Sequence, residues 1–169
     1  MGAGKSTIGP ILANTIGWKF YDLDKVIEKE EGKKVREIFE EKGEEYFRRT
    51  EADVLAKLSA GKNIIISLGG GTLANDENLN FIRRKGKIIY LKVSPEEAYK
   101  RLRFKRDRPV LNIRNGDFTR EELLDKINSI YEQRKKYYEK ADLTIDTDNV
   151  SVGQTVDHLA KVITKGLIR

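Results

Sequence analysis

Apolar residues at Ile8, Ile11, Leu12 and Ile16 recur at helical spacing, and Gly17 stops the run. Lys19–Asp22 then reads as a short extended piece. Val26 and Ile27 sit on a helix closed by Gly32. Val35, Ile38 and Phe39 mark a short helix before Gly43, and Phe47, Val54, Leu55 and Leu58 a longer one before Gly61. Asn63–Leu68 is β-branched and continuous, as a strand covered on both faces should be. A glycine triplet ends it. Phe81 and Ile82 belong to a helix closing near Gly86, and Ile88–Val93 is a second buried strand. Pro95 opens a helix at a position that tolerates proline. Residues 103–117 read as a polar, basic loop. Thr119-Arg120-Glu121-Glu122 is a capping box for a long helix to about Tyr138. Leu143–Asp146 is a last strand and Ser151–Leu167 a last helix. Strands alternating with helices predict an α/β fold, with a parallel sheet covered on both faces.

Composition narrows the chemistry. The 169 residues suit one domain, 1–169, with a sizeable core. Hydrophobic residues make up 38% and charged residues 36%, the balance of a soluble globular chain with a heavily charged surface. With no Cys, disulfides, thiolate zinc sites and a cysteine nucleophile are excluded. His158 is the only histidine, so a serine triad would have to run through the C-terminal tail. No apolar run approaches the ~20 residues a membrane helix needs. No signal or transit segment precedes the first motif. The expectation is a cytoplasmic protein, a monomer, without a membrane partner. A net charge of +6 is mostly a solvated surface with a mild excess, and it also attracts small anions. No basic stripe with interleaved aromatics is present, so nucleic acid is not expected as a partner.

The sharpest signal opens the chain. Gly2-Ala3-Gly4-Lys5-Ser6-Thr7 runs directly into the first helix. Glycines let a backbone wrap an anion with its N–H groups inward, and the helix amino end adds partial positive charge. Lys5 would bridge the β- and γ-phosphates of ATP, the Ser6 hydroxyl would ligate Mg2+, and Thr7 would bond a nearer phosphate.

A second set points to an acceptor. Tyr21-Asp22-Leu23-Asp24 reads as the end of a strand, where residues two apart face one side. Both carboxylates would then meet at the carboxyl edge of the sheet, where α/β ligands sit. One would hold metal-bound water and the other the acceptor hydroxyl; the plain alternative is a turn with helix-capping aspartates. Arg48 shares a helical face with Ala52 and Leu55. Arg134 falls on the apolar stripe of Leu123, Ile127, Tyr131 and Tyr138, where a charge needs either an internal carboxylate or an anionic ligand. Arginine suits two-point grip of a carboxylate. Gly69, Gly70 and Gly71 allow close backbone approach to a ligand, or form a tight turn only. Arg101, Arg103, Lys105, Arg106 and Arg108 form a basic stretch that reads as a lid closing over phosphates, or as a solvated loop.

Together these motifs resemble shikimate kinase, a small member of the nucleoside-monophosphate-kinase-like P-loop group. The resemblance runs over the whole chain. It passes through Met1-Gly2-Ala3-Gly4-Lys5-Ser6-Thr7, Tyr21-Asp22-Leu23-Asp24 and Gly43-Glu44-Glu45-Tyr46-Phe47-Arg48-Arg49-Thr50-Glu51. It continues through Gly69-Gly70-Gly71-Thr72 to Arg108-Pro109-Val110-Leu111. The resemblance implies a three-layer P-loop NTPase fold with sheet order 2-3-1-4-5. It also implies substrate-binding helices over about 24–60 and a flexible lid over about 103–118. It implies ATP-dependent phosphorylation of the shikimate 3-hydroxyl on the route to chorismate. Lys5 and Ser6 would serve phosphate and Mg2+, with Asp22 reaching Mg2+ through water. Asp24, Arg48, Gly70, Gly71 and Arg134 would hold shikimate. Arg108 would come from the lid, and Arg101 would flank adenine beside Asp146-Thr147-Asp148-Asn149, which lacks the proline some members carry. Lys5, Asp24 and Arg108 are the expected catalytic groups. Two other readings are a kinase for another small hydroxyl acceptor such as gluconate, and a nucleotide-binding relative without catalysis.

One feature departs from the family. The full phosphate-loop pattern begins with a glycine separated from Gly4 by four residues, after a buried strand. In this sequence that glycine would precede Met1, so most of family strand 1 is missing. A start assigned late, a cut chain and a degraded copy are the three explanations, and the first is favoured because the other site residues are intact. Two unpaired sheet edges would result.

Overall fold

The computed structural model describes residues 2–103 and 119–166. The predicted lid, with Arg108, falls largely in residues 104–118 and lies outside the described ones.

Each predicted strand forms; the first and last keep their expected bounds, and the two between lose one residue at each end. β1 (Lys19–Asp22) pairs in parallel with β2 (Ile64–Ser67), Tyr21 opposite Ile66. β3 (Ile89–Lys92) pairs in parallel with β4 (Leu143–Asp146), Leu91 opposite Ile145. Among the described residues no ladder joins β2 to β3, so the sheet exists as two separate pairs. These pairs are the outer halves of the order 2-3-1-4-5, with the place of the central strand between them.

Helices cover both faces. α1 (Lys5–Thr15) and α7 (Val152–Thr164) pack together, and Ile8, Leu12, Val156 and Leu159 bury against Ile65, Ile89, Leu91 and Ile145. Gly9 makes this approach possible, because a Cβ there would overlap the ring of Phe20 on β1. On the opposite face, Ile66 and Leu68 join the core of α2 (Leu23–Glu31) and α3 (Val35–Leu58), built on Leu23, Ile27, Ile38, Phe47 and Val54. Ile65 and Ile66 thus face opposite layers, as the two-residue period of a strand requires. α5 (Pro95–Leu102) and α6 (Arg120–Tyr138) bury Ala98, Leu102, Leu123 and Ile127 with Val93 and Ala3. α4 (Asp76–Lys85) adds Leu79 beneath Leu73 and Ile88.

Local signals account for most boundaries. Thr119 and Glu122 close the predicted capping box of α6: the Glu122 N–H donates to Thr119 Oγ1 at 3.2 Å, and the Thr119 N–H to Glu122 Oε2 at 2.8 Å. The expected stop at Gly43 is present: its φ of 80° and ψ of 170° are non-helical and divide α3 at a kink into a short helix and a longer one that runs to Leu58.

The gap between β2 and β3 is a cavity of about 740 Å³ with isoleucine on both walls.

Candidate functional site

The phosphate loop is shaped by backbone that only glycine adopts easily. Gly2 has φ 72° and Gly4 φ 88°, both left-handed. Gly4 precedes α1, and its carbonyl accepts from Thr7 N–H at 2.9 Å and Ile8 N–H at 2.8 Å. No side chain caps α1, so its positive end is presented to the adjoining cavity. Ala3 is buried among Val93 and Ala98 and pins the loop to β3 and α5. A Cβ on Gly2 would lie 3.2 Å from the Ala98 backbone, so small size matters there as well as φ.

The adjoining cavity, of about 230 Å³, is lined by residues 2–8 together with Arg101, Leu102, Thr147, Val150, Val152 and Thr155. Arg101 is fixed beside it. Its guanidinium donates to the Thr147 carbonyl at 2.7 Å and to Glu97 Oε1 at 3.1 Å, and reaches the Gly2 carbonyl at 3.4 Å. The predicted adenine turn is built by Asp148, which accepts from Ser94 N–H at 3.1 Å, and by Asn149, at φ 56°. Val150 and Val152 present exposed apolar surface at this cavity, a feature that sequence reasoning passed over.

The strand-end reading of the aspartate pair needs correction. β1 stops at Asp22, which caps α2 by accepting from Lys25 N–H at 3.2 Å. Asp24 sits in the first helical turn, not one strand period further on. The capping alternative is right for Asp22, because its short side chain can satisfy an orphan helix amide. The two carboxylates remain close enough to act on each other. Burial first, then the charges of Asp22 and Glu51, push Asp24 from 3.8 to about 6, while Lys5 pulls the other way. Lys5, from the phosphate loop, and Asp24, from α2, therefore share one electrostatic site.

The glycine triplet is where the acceptor residues meet. A Cβ on Gly69 would lie 2.9 Å from Asp24 Oδ1, one on Gly70 would overlap the Arg134 guanidinium, and one on Gly71 would lie 2.8 Å from Arg48 Nη2. Three predicted ligand groups, from α2, α6 and α3, thus close onto three successive glycines after β2. Tyr138 supports the turn from α6, its hydroxyl 3.5 Å from the Gly70 carbonyl.

Arg48 is aimed by a residue that sequence reasoning missed. Glu51 is 1% exposed, accepts from Arg48 Nη1 at 2.9 Å and from Thr72 Oγ1 at 2.7 Å. Thr72 is itself buried, and its carbonyl accepts from Asn78 Nδ2 at 3.3 Å. Desolvation would lower the Arg48 pKa, but hydrogen bonds to Glu51 and Glu44 win and raise it. The signal was present: Phe47, Glu51, Val54 and Leu55 share a helical stripe, and Glu51 stands three residues from Arg48. Arg134 differs from Arg48. Among the described residues no carboxylate lies within ion-pairing distance of it.

The chain resembles known proteins in sequence and in fold. The family model for shikimate kinase matches residues 1–164. The chain is 44% identical to the shikimate kinase of Chlorobaculum parvum over 169 residues, covering 99% of this chain and 90% of that protein. It is 45% identical to that of Chlorobium limicola, covering 96% of this chain and 82% of that protein. A solved shikimate kinase from Bacteroides thetaiotaomicron superposes with a TM-score of 0.87 at 34% identity, covering 97% of this chain and 94% of that one. Another, from Acinetobacter baumannii in complex with shikimate, gives 0.86 at 29% identity, covering 100% and 91%. With that match in sequence and in fold, the chain belongs to the shikimate kinase family.

Proposed function

We propose that the Gly2–Thr7 loop and the pocket around Asp24 divide the work of ATP-dependent shikimate phosphorylation. The observation that carries this reading is the convergence of Asp24, Arg48 and Arg134 on Gly69–Gly71, with the Lys5 charge felt at Asp24. Shikimate offers one carboxylate and a ring of hydroxyls. The two guanidiniums suit the carboxylate. The bare glycine backbone lets a flat ring lie close, and Asp24 can accept a hydrogen bond from the reacting hydroxyl. This compact, doubly cationic pocket argues against an extended acceptor such as gluconate.

Asp24 fits the role of base. A carboxylate near pKa 6 is ionised at neutral pH yet more basic than an exposed aspartate. It can orient the 3-hydroxyl oxygen for in-line attack and take its proton as the bond to phosphorus forms. Lys5 and the amino end of α1 meet the charge on the transferring group. Arg101 and the Val150 surface suit the nucleotide base. Arg108, outside the described residues, is the expected further cation.

Ser6, and Asp22 through water, are the side chains that would hold Mg2+ beside the phosphate oxygens. When bound, it neutralises phosphate charge.

A coupled ADP-release assay over shikimate and gluconate tests the proposal; turnover with gluconate alone would overturn it. Asp24→Asn should lower kcat by roughly 10²–10³-fold while ATP binding survives. The kcat/KM of the unchanged chain should fall as pH drops through about 6, because the proton-accepting form is lost. An acid limb near the ordinary aspartate value would remove Asp24 as base. Arg134→Ala should raise the shikimate KM roughly 10–100-fold with the ATP KM unmoved; an unchanged shikimate KM would assign Arg134 to structure. Glu51→Gln keeps the volume but removes the charge that aims Arg48. It should raise the shikimate KM and lower stability by about 1–3 kcal/mol in urea unfolding.

A further inference from the structure

We propose that Glu44 is an internal competitor of the acceptor: it holds the outer edge of the Arg48 guanidinium, and the carboxylate of the acceptor must displace it to bind. The inference deepens the reading in which Arg48 takes that carboxylate, and it rests on that reading.

Arg48 is shared between two unequal carboxylates of its own helix. Glu51, three residues on, accepts from Nη1 at 2.9 Å and is 1% exposed. Glu44, four residues back and first after the kink at Gly43, accepts from Nε at 3.2 Å and from Nη2 at 3.1 Å, and its side chain is 67% exposed. Both of these contacts go to the same oxygen, Oε1. A carboxylate that brings two oxygens to two N–H groups in parallel makes the stronger contact, so an incoming acid can win this edge. Glu44 can then turn into water at little cost, whereas Glu51 without Arg48 would be a buried charge without its cation.

The contested atom is the one nearest the acceptor residues. A Cβ on Gly71 would lie 2.8 Å from Nη2 and 3.2 Å from Nη1. Nη2 is therefore the nitrogen closest to the glycine triplet, and it is the nitrogen that Glu44 engages. Two carboxylates gathered there would repel each other.

Glu44 could also help by orienting Arg48, and the structure decides between blocking and helping. The guanidinium is already fixed from its inner side by Glu51. It also sits over the rings of Phe47 and Phe39, 5.3 and 5.9 Å from their centroids. Orientation survives without Glu44, so its loss mainly frees an edge and removes a like charge. The gain in affinity is small, because an exposed ion pair is a weak one.

The test measures shikimate affinity of the full chain by calorimetric titration, and KM alongside. Glu44→Gln should tighten shikimate binding about two- to fivefold and leave ATP affinity unmoved. Glu45→Gln removes the same charge one residue on, from an exposed pair with Arg49, and should change neither. In an Arg48→Lys chain, which keeps a cation beside Glu51 but has no fork to share, Glu44→Gln should bring no gain. Unchanged or weaker shikimate binding in Glu44→Gln would overturn the proposal. So would an equal gain from Glu45→Gln or in the Arg48→Lys chain, which would trace the effect to net charge alone. If Arg48→Lys by itself leaves shikimate binding intact, the reading that Arg48 holds the carboxylate fails, and the inference falls with it.

Discussion

Charge gathers in this protein where the backbone has been left bare. Gly2 and Gly4 hold left-handed turns that present the amino end of α1 to its cavity. Gly69, Gly70 and Gly71 leave room for one carboxylate and two guanidiniums at distances that any Cβ would forbid. The side chains with chemistry therefore come from helices, and the glycines determine how closely they meet. Adding a methyl group at Gly70 would displace Arg134 without removing any polar atom. Close approach is as much a part of this site as the ionisable groups are.

Once gathered, the charges depend on one another. Glu51 is buried, yet it is satisfied by Arg48 and Thr72, and no buried side-chain polar atom among the described residues lacks a partner. Its charge also reaches Asp24, adding to burial and to Asp22 in raising that carboxyl. Glu51 thus fixes the Arg48 guanidinium and helps raise the Asp24 carboxyl, the two groups proposed for the substrate carboxylate and hydroxyl. The linkage has a stability consequence. Because Asp24 has a higher pKa folded than unfolded, its ionisation opposes folding, and its contribution declines as pH rises from about 4 to about 6. A residue placed for basicity here detracts from stability at neutral pH.

The legible parts of the sequence were those in which a local rule and the fold agree. The phosphate loop, the capping box at Thr119 and the β-branched run at Ile64–Ile66 each carry their own physical reason and survive in the structure. Arg134 was legible as a charge on an apolar stripe. Failures came where two local rules compete. Strand alternation and helix capping both claim Asp22, and capping wins because α2 starts at once. Glu51 was hidden for another reason. In a helix full of charge a glutamate looks like surface, and only burial against Thr72, far away in sequence, distinguishes it.

The division of the sheet coincides with a division of labour. Asp24, Arg48 and Gly69–Gly71, proposed for the acceptor, belong to the β1–β2 half, whereas Arg101, Thr147 and Val150, around the cavity proposed for the nucleotide, belong to the β3–β4 half. Arg134 on α6 reaches across to Gly70, and the phosphate loop lies where the two halves meet. In-line transfer requires the reacting atoms to be aligned within a fraction of an ångström, and small misplacements cost large factors in rate. The two sets of residues are thus carried on strand pairs that no backbone ladder joins among the described residues, and the phosphate loop and Arg134 are what bring them together.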